Sequence, residues 1–249
     1  PRPRGYAKIF RDLQQYSFGF ITYSEGCNDD VNKIIWSCLG WDPEMKVEDI
    51  LKEYSRYFIS ARYEQKFAQG LLALEKNWEG PLLTNEDVFE TLKLFQSMEK
   101  DATPQELLNW RFQQGLYRAY YDAYLRHRLI YETELERQAM DILKTAEQIG
   151  SLAALEKADG ILDKAVTQKV ATDLRARVFE LAEALFESIQ IQLSVEKYQA
   201  KEVSRGANLD EIDKPLNRKR DLKRRFDKIR RLRPEKERLD AIAEIVGQI

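Results

Sequence analysis

A chain of 249 residues that is 43% hydrophobic and 33% charged has apolar mass for a sizeable core and a charged surface that suits helices. Its 11 glycines and 7 prolines are too few for an all-β design, which consumes both in turns, and no apolar run approaches the roughly 18 residues of a membrane span. The formal charge of −2 conceals a basic segment, with twelve Lys/Arg against four Asp/Glu from Arg218 to Arg238, so the remainder is acidic.

The opening Pro1-Arg2-Pro3-Arg4 reads as the start of a piece cut from a longer protein, so missing targeting signals say little about compartment. Tyr6, Ile9, Phe10, Leu13 and Tyr16 recur at three- and four-residue steps and predict a short amphipathic helix. Residues 18–23 are apolar and β-branched, read as a strand, and end on Ser24-Glu25-Gly26. Asn28, Asp29 and Asp30 then offer caps for a helix through Val31, Ile34, Ile35 and Cys38, closed by Asp42-Pro43.

Helix follows helix from there. Stripes predict helices over 47–58 and 61–77, the second closed by Trp78-Glu79-Gly80-Pro81, and a fourth capped by Thr84 with Val88, Leu92 and Phe95 on its apolar face. Thr103-Pro104-Gln105-Glu106 is a capping box, and its helix is expected to run past Tyr131 and, with a kink, to Gly150. After a break at Asp159-Gly160, a stripe from Val166 to Leu193 predicts another long helix. A polar loop over 204–216 and two short basic helices end the chain. No period of 20–50 residues repeats, which argues against a solenoid.

A lone strand is a physical problem, because its backbone donors and acceptors need ladder partners. The simplest solution pairs residues 18–23 with strands upstream of Pro1. The expected fold class is therefore mainly α: one helix–strand–helix unit over 1–40 that completes an upstream (β/α) barrel, then an all-α domain over 41–249. Catalytic groups of such barrels stand at the C-terminal ends of strands, the position of Glu25.

Glu25-Gly26, the polar caps and a helix ending Leu39-Gly40-Trp41 resemble the end of the barrel in α-N-acetylglucosaminidase-type glycoside hydrolases. Residues 49–58, DILKEYSRYF, and 71–75, LLALE, are similar to the start of that family's all-helical C-terminal domain. The resemblance covers about the first 80 residues, is architectural beyond them, and is shared loosely with α-glucuronidase-like proteins and other large glycosidases. It implies the C-terminal portion of a retaining, exo-acting glycoside hydrolase with Glu25 as nucleophile. The general acid would lie on an earlier barrel strand, so the isolated chain is expected to be inactive. It also implies a carbohydrate substrate, an upstream barrel of the same polypeptide as partner, and a secreted, periplasmic or lysosomal setting. The competing reading is a non-catalytic helical module for domain or subunit packing, with a homo-oligomer allowed and Glu25 as a helix-start acid.

Other residues carry two readings each. Tyr23 shares a strand face with Glu25 and would line a sugar pocket or fill the barrel. Asn28 is a helix cap or a ligand for a sugar hydroxyl. Trp36 and Trp41 are stacking platforms for pyranose rings or core aromatics. Tyr117, Tyr120, Tyr124, His127 and Tyr131 form a polar-tipped stripe that would wall a cleft or seal one helix onto another element. Cys27 and Cys38, eleven residues apart on one helix, would lie roughly 16 Å from each other, too far for the about 7 Å that a disulfide tolerates. With His127 the single histidine, no metal site and no cofactor are expected. The acids interleaved in the basic tail point to a solvated helix face, so neither nucleic acid nor membrane is an expected partner.

Overall fold

A computed structural model describes residues 1–21, 23 and 29–247. The described chain is mainly α and falls into two compact units, residues 1–124 with 173–210 (unit 1) and 125–172 with 211–249 (unit 2). No helix among the described residues is long and apolar enough to cross a membrane.

Unit 1 opens with α1 (Pro3–Leu13), α2 (Asp30–Trp41), α3 (Val47–Phe58), α4 (Glu64–Lys76) and α5 (Asp87–Asp101), each packed on the next across one apolar face. Because α1 has no side-chain cap of its own, two of its early N–H groups are satisfied from α4: Glu75 accepts from Arg4 at 2.9 Å and Gly5 at 2.8 Å. The boundary expected at residue 40 does not coincide with an edge of either unit, since α1 and α2 pack against α3 and α4. At the centre, the Phe95 ring fills the space left by two glycines. A Cβ on Gly70 would meet it at 2.9 Å and one on Gly115 at 2.7 Å, so α5 approaches both neighbours only because those positions are bare.

The capping box forms as expected, Glu106 N–H donating to Thr103 Oγ1 and Thr103 N–H to Glu106 Oε2, but its helix α6 is short (Pro104–Leu107). Asn109 then restarts the chain as α7 (Trp110–Leu143), its Oδ1 accepting from the Arg111 N–H at 2.9 Å while its Nδ2 donates to the Phe58 carbonyl. The helix expected to start at residue 103 is therefore broken after its first turn. The first half of α7 belongs to unit 1 and the second to unit 2.

In unit 2, α8 (Ala146–Ile149) ends at Gly150, whose φ of +87° suits glycine, and α9 (Ser151–Thr167) follows. The break expected at Asp159-Gly160 is absent. An interior glycine costs a helix only about 1 kcal/mol relative to alanine, and buried Ala154, Leu155, Ala158 and Leu162 hold α9 together around it. The break falls instead after Thr167, and α10 (Thr172–Ile189) carries the Leu174–Leu185 part of the expected stripe in unit 1, followed by the short α11 (Val195–Tyr198). The basic tail forms α12 (Lys219–Arg230) and α13 (Glu235–Val246), packed on α9. Many of its cations are matched across the contact, Lys219 to Asp163 at 2.9 Å and Arg230 to Asp159 at 2.9 Å.

No strand occurs among the described residues. Phe18, Gly19, Phe20, Ile21 and Tyr23, expected as a strand, take no regular structure: a strand needs a ladder partner, and these residues have none among the described residues.

Candidate functional site

Glu25 and Asn28, the expected nucleophile and sugar ligand, lie outside the described residues, as does Cys27. Tyr23 is 82% exposed. Asp29 stands at the N-cap position of α2 without a side-chain capping bond, and Asp30 has a different task, described below. Trp36 is half-buried, its ring meeting the edges of Phe10 and Phe20, both at 5.7 Å between centroids, while its indole N–H donates to the Tyr6 carbonyl at 3.0 Å. Here it is a packing residue between α1 and the segment after it. Trp41 is exposed. The tyrosine stripe divides between the units. In unit 1, Tyr117 donates to Asn208 Oδ1 at 2.7 Å and Tyr120 to Glu99 Oε2 at 2.6 Å, sealing helix to neighbour. Burial first, then the carboxylate of Glu99, push the Tyr120 phenol up to about 12. His127 and Tyr131 fall in unit 2.

Unit 1 holds a cavity of about 250 Å³ walled by one face of α7. Arg111, Gln114, Gly115 and Arg118 stand at i, i+3, i+4 and i+7 and so share that face. Tyr117, Asn208 and Pro1, whose amino group lies beside Arg118, also line the polar side, and Phe67, Leu71 and Leu74 of α4 with Leu185 of α10 line the apolar one.

Each arginine is fixed by one carboxylate and two rings. Arg111 donates from Nε to Asp30 Oδ2 at 2.8 Å and from Nη2 to Oδ1 at 3.0 Å, a bidentate pair. Its guanidinium carbon lies 4.1 Å from the Phe58 ring centre and 4.2 Å from that of Trp110. Tyr54 donates to the same Asp30 at 2.6 Å. Burial, reinforced by the carboxylate it bonds, raises the Tyr54 phenol far above its ordinary value. Arg118 pairs with Asp122 one turn further along α7 and lies over the rings of Trp78 at 4.7 Å and Tyr121 at 4.9 Å. Asp122 is buried and also accepts from Asn77 Nδ2 at 3.0 Å, while Thr91 donates to Asn77 Oδ1. The Nε–H of Arg118 is buried without an acceptor among the described residues.

The paired arginines and aspartates offer binding chemistry. Arginine does not lose its proton in a protein, the phenols of Tyr54 and Tyr117 are held neutral by burial, and both aspartates are committed to guanidinium groups. Among the described residues no group of three His, Cys, Asp or Glu side chains could hold a metal ion. The residue spacing of the α7 face was readable in advance. What closes the cavity was not, because Asp30 comes from 81 positions away. Set against family models, curated proteins and solved structures, the chain finds no match in any of the three.

Proposed function

We propose that this chain is the helical portion of a retaining, exo-acting glycoside hydrolase, with residues 18–23 completing a barrel built by the preceding polypeptide and Glu25 serving as nucleophile. The observation that supports this reading is the segment before Glu25. Phe18 and Ile21 are 114% and 96% exposed, in a stretch without regular structure leading towards the well-packed α2. Apolar and β-branched side chains left in water are what a strand shows when its sheet is missing. The resemblance of residues 25–41 and 49–75 to the α-N-acetylglucosaminidase type points the same way.

In that arrangement the chemistry needs a second carboxyl group, about 5–5.5 Å from Glu25 in a retaining enzyme, to protonate the leaving oxygen. The upstream barrel supplies it. In this reading the start of the helix after Glu25 favours the ionised form of the nucleophile, Tyr23 and Asn28 serve as sugar ligands, and Trp36 packs its ring on Phe20. The second reading, a non-catalytic packing module, is favoured by the committed aspartates of the unit 1 cavity, which leave binding as its chemistry.

The test uses the parent protein and a panel of aryl glycosides, beside its Glu25→Gln variant. Aglycone release that falls by several orders of magnitude in the variant, with circular dichroism unchanged, is the expected result. Equal rates in the two proteins would eliminate Glu25 as nucleophile, and no hydrolysis of any glycoside would leave the module reading.

A further inference from the structure

We infer that the unit 1 cavity is a binding site for a small organic carboxylate with an apolar body. The inference is independent of whether Glu25 is catalytic. Two features of the cavity set opposite demands. On the α7 face, Arg111 and Arg118 each spend one edge on an aspartate and are locked in orientation by aromatic faces, so their remaining N–H groups are pre-organised donors. Arg118 makes the demand explicit, because its Nε–H is buried with no acceptor among the described residues. On the opposite wall, Phe67, Leu71, Leu74 and Leu185 offer only hydrocarbon.

An alcohol brings a donor that these donors do not want, and an inorganic oxyanion brings nothing to cover the leucines. A carboxylate is planar and acceptor-only, matches the guanidinium fork, and can carry a hydrocarbon body onto the apolar wall. The volume of about 250 Å³ lies just under the usual range of ligand pockets, which limits the body to a few carbons. Because Asp30 and Asp122 already offset the two arginines, and Pro1 adds at most one further positive charge to the wall, the ligand is a single carboxylate rather than a polyanion.

The experiment titrates the 249-residue chain with hexanoate, hexan-1-ol and inorganic phosphate, following heat and the tryptophan emission of Trp78 and Trp110, whose rings stack on the two arginines. Saturable hexanoate binding, about tenfold or more tighter than either hexanol or phosphate, is expected. Arg118→Lys keeps the charge beside Asp122 but removes the Nε–H fork, and should weaken hexanoate about tenfold while leaving hexanol unchanged. Leu193→Phe, which fills the cavity from its apolar side, should weaken both organic probes. Hexanoate binding no tighter than hexanol, or unchanged in Arg118→Lys, overturns the proposal. Phosphate binding as tightly as hexanoate overturns the assignment of an organic carboxylate.

Discussion

The two units bury different kinds of surface. Unit 1 closes around rings: Phe67, Phe95, Phe112 and Tyr124 are almost fully buried, with Tyr117, Tyr120 and Tyr121 beside them sending hydroxyl groups to polar partners. Unit 2 closes around Ala139, Leu143, Ala154, Leu155, Ala158 and the small aliphatic residues of α12 and α13, with Phe226 the one aromatic side chain in that cluster. Small aliphatic faces let helices approach closely and leave little space, whereas large rings with polar tips pack at fixed angles and need partners for their tips. The cavity and its oriented arginines are a product of the aromatic style. Binding chemistry therefore belongs to unit 1, and unit 2 is the better candidate for a purely structural part.

The sharpest way to break that contrast is to remove the one ring from the aliphatic cluster of unit 2. Phe226→Ala takes away a fully buried side chain and should cost about 3–5 kcal/mol. All four tryptophans, Trp36, Trp41, Trp78 and Trp110, lie in unit 1. In a urea titration the circular dichroism transition should therefore shift while tryptophan emission keeps its midpoint. Both moving together would mean that the units unfold as one cooperative block.

The next largest effect comes from buried ion pairs, of which each unit has one on α7. In unit 2, Glu132 pairs with Arg128 and accepts from the Leu216 N–H at 2.8 Å, while Arg128 donates to the carbonyls of Ile212 and Lys214. Together they strap the 211–217 segment to the helix. Glu132→Gln weakens hydrogen bonds to a buried charge and should cost about 1.5–3 kcal/mol. The counterpart, Asp122→Asn in unit 1, should cost a comparable amount but appear in the tryptophan signal. Loss of Glu132 that moved the tryptophan midpoint instead would contradict the division. A smaller effect follows from the capping box: Thr103→Ala should destabilise unit 1 by about 1 kcal/mol, read as a shift of its thermal midpoint.

Local chemistry was legible in the chain and long-range chemistry was not. Thr103 to Glu106 announces a helix start, because both partners sit within one turn, and Gly150 marks a helix end by its own conformational freedom. The helix after the box is shorter than its pattern suggests because Asn109, three residues past Glu106, restarts the backbone with its own cap and is anchored to Phe58, 51 positions earlier. Gly160 does not break its helix, since the buried residues flanking it outweigh one glycine. The tyrosine stripe was visible, but its role depended on Asn208 and Glu99, which spacing cannot supply. The Arg111 to Arg118 face follows from helical periodicity alone, and only Asp30 and the leucines of other helices turn that face into a cavity wall.

The finest test concerns how unit 2 holds its helix ends at low pH. Glu235, in the first turn of α13, accepts from the backbone N–H of Ser151 at 2.7 Å and from its Oγ at 2.7 Å, so it caps α9 from another helix. These bonds, with a lesser contribution from Arg238, lower the carboxyl from the ordinary 4.5 to about 2. A carboxylate with a depressed value binds fewer protons folded than unfolded. Its stabilisation is then fully present above pH 4.5 and is lost as the pH falls towards 2. Glu235→Gln removes that titration. The stability gap between the original chain and the variant should be widest near neutrality, begin to close below pH 4.5 and be nearly gone at pH 2, read by circular dichroism midpoints across that range. Because Glu235 is exposed, the gap should also be small. A gap independent of pH would mean that Ser151 gains a neutral hydrogen bond from Glu235 and that charge contributes nothing to capping α9.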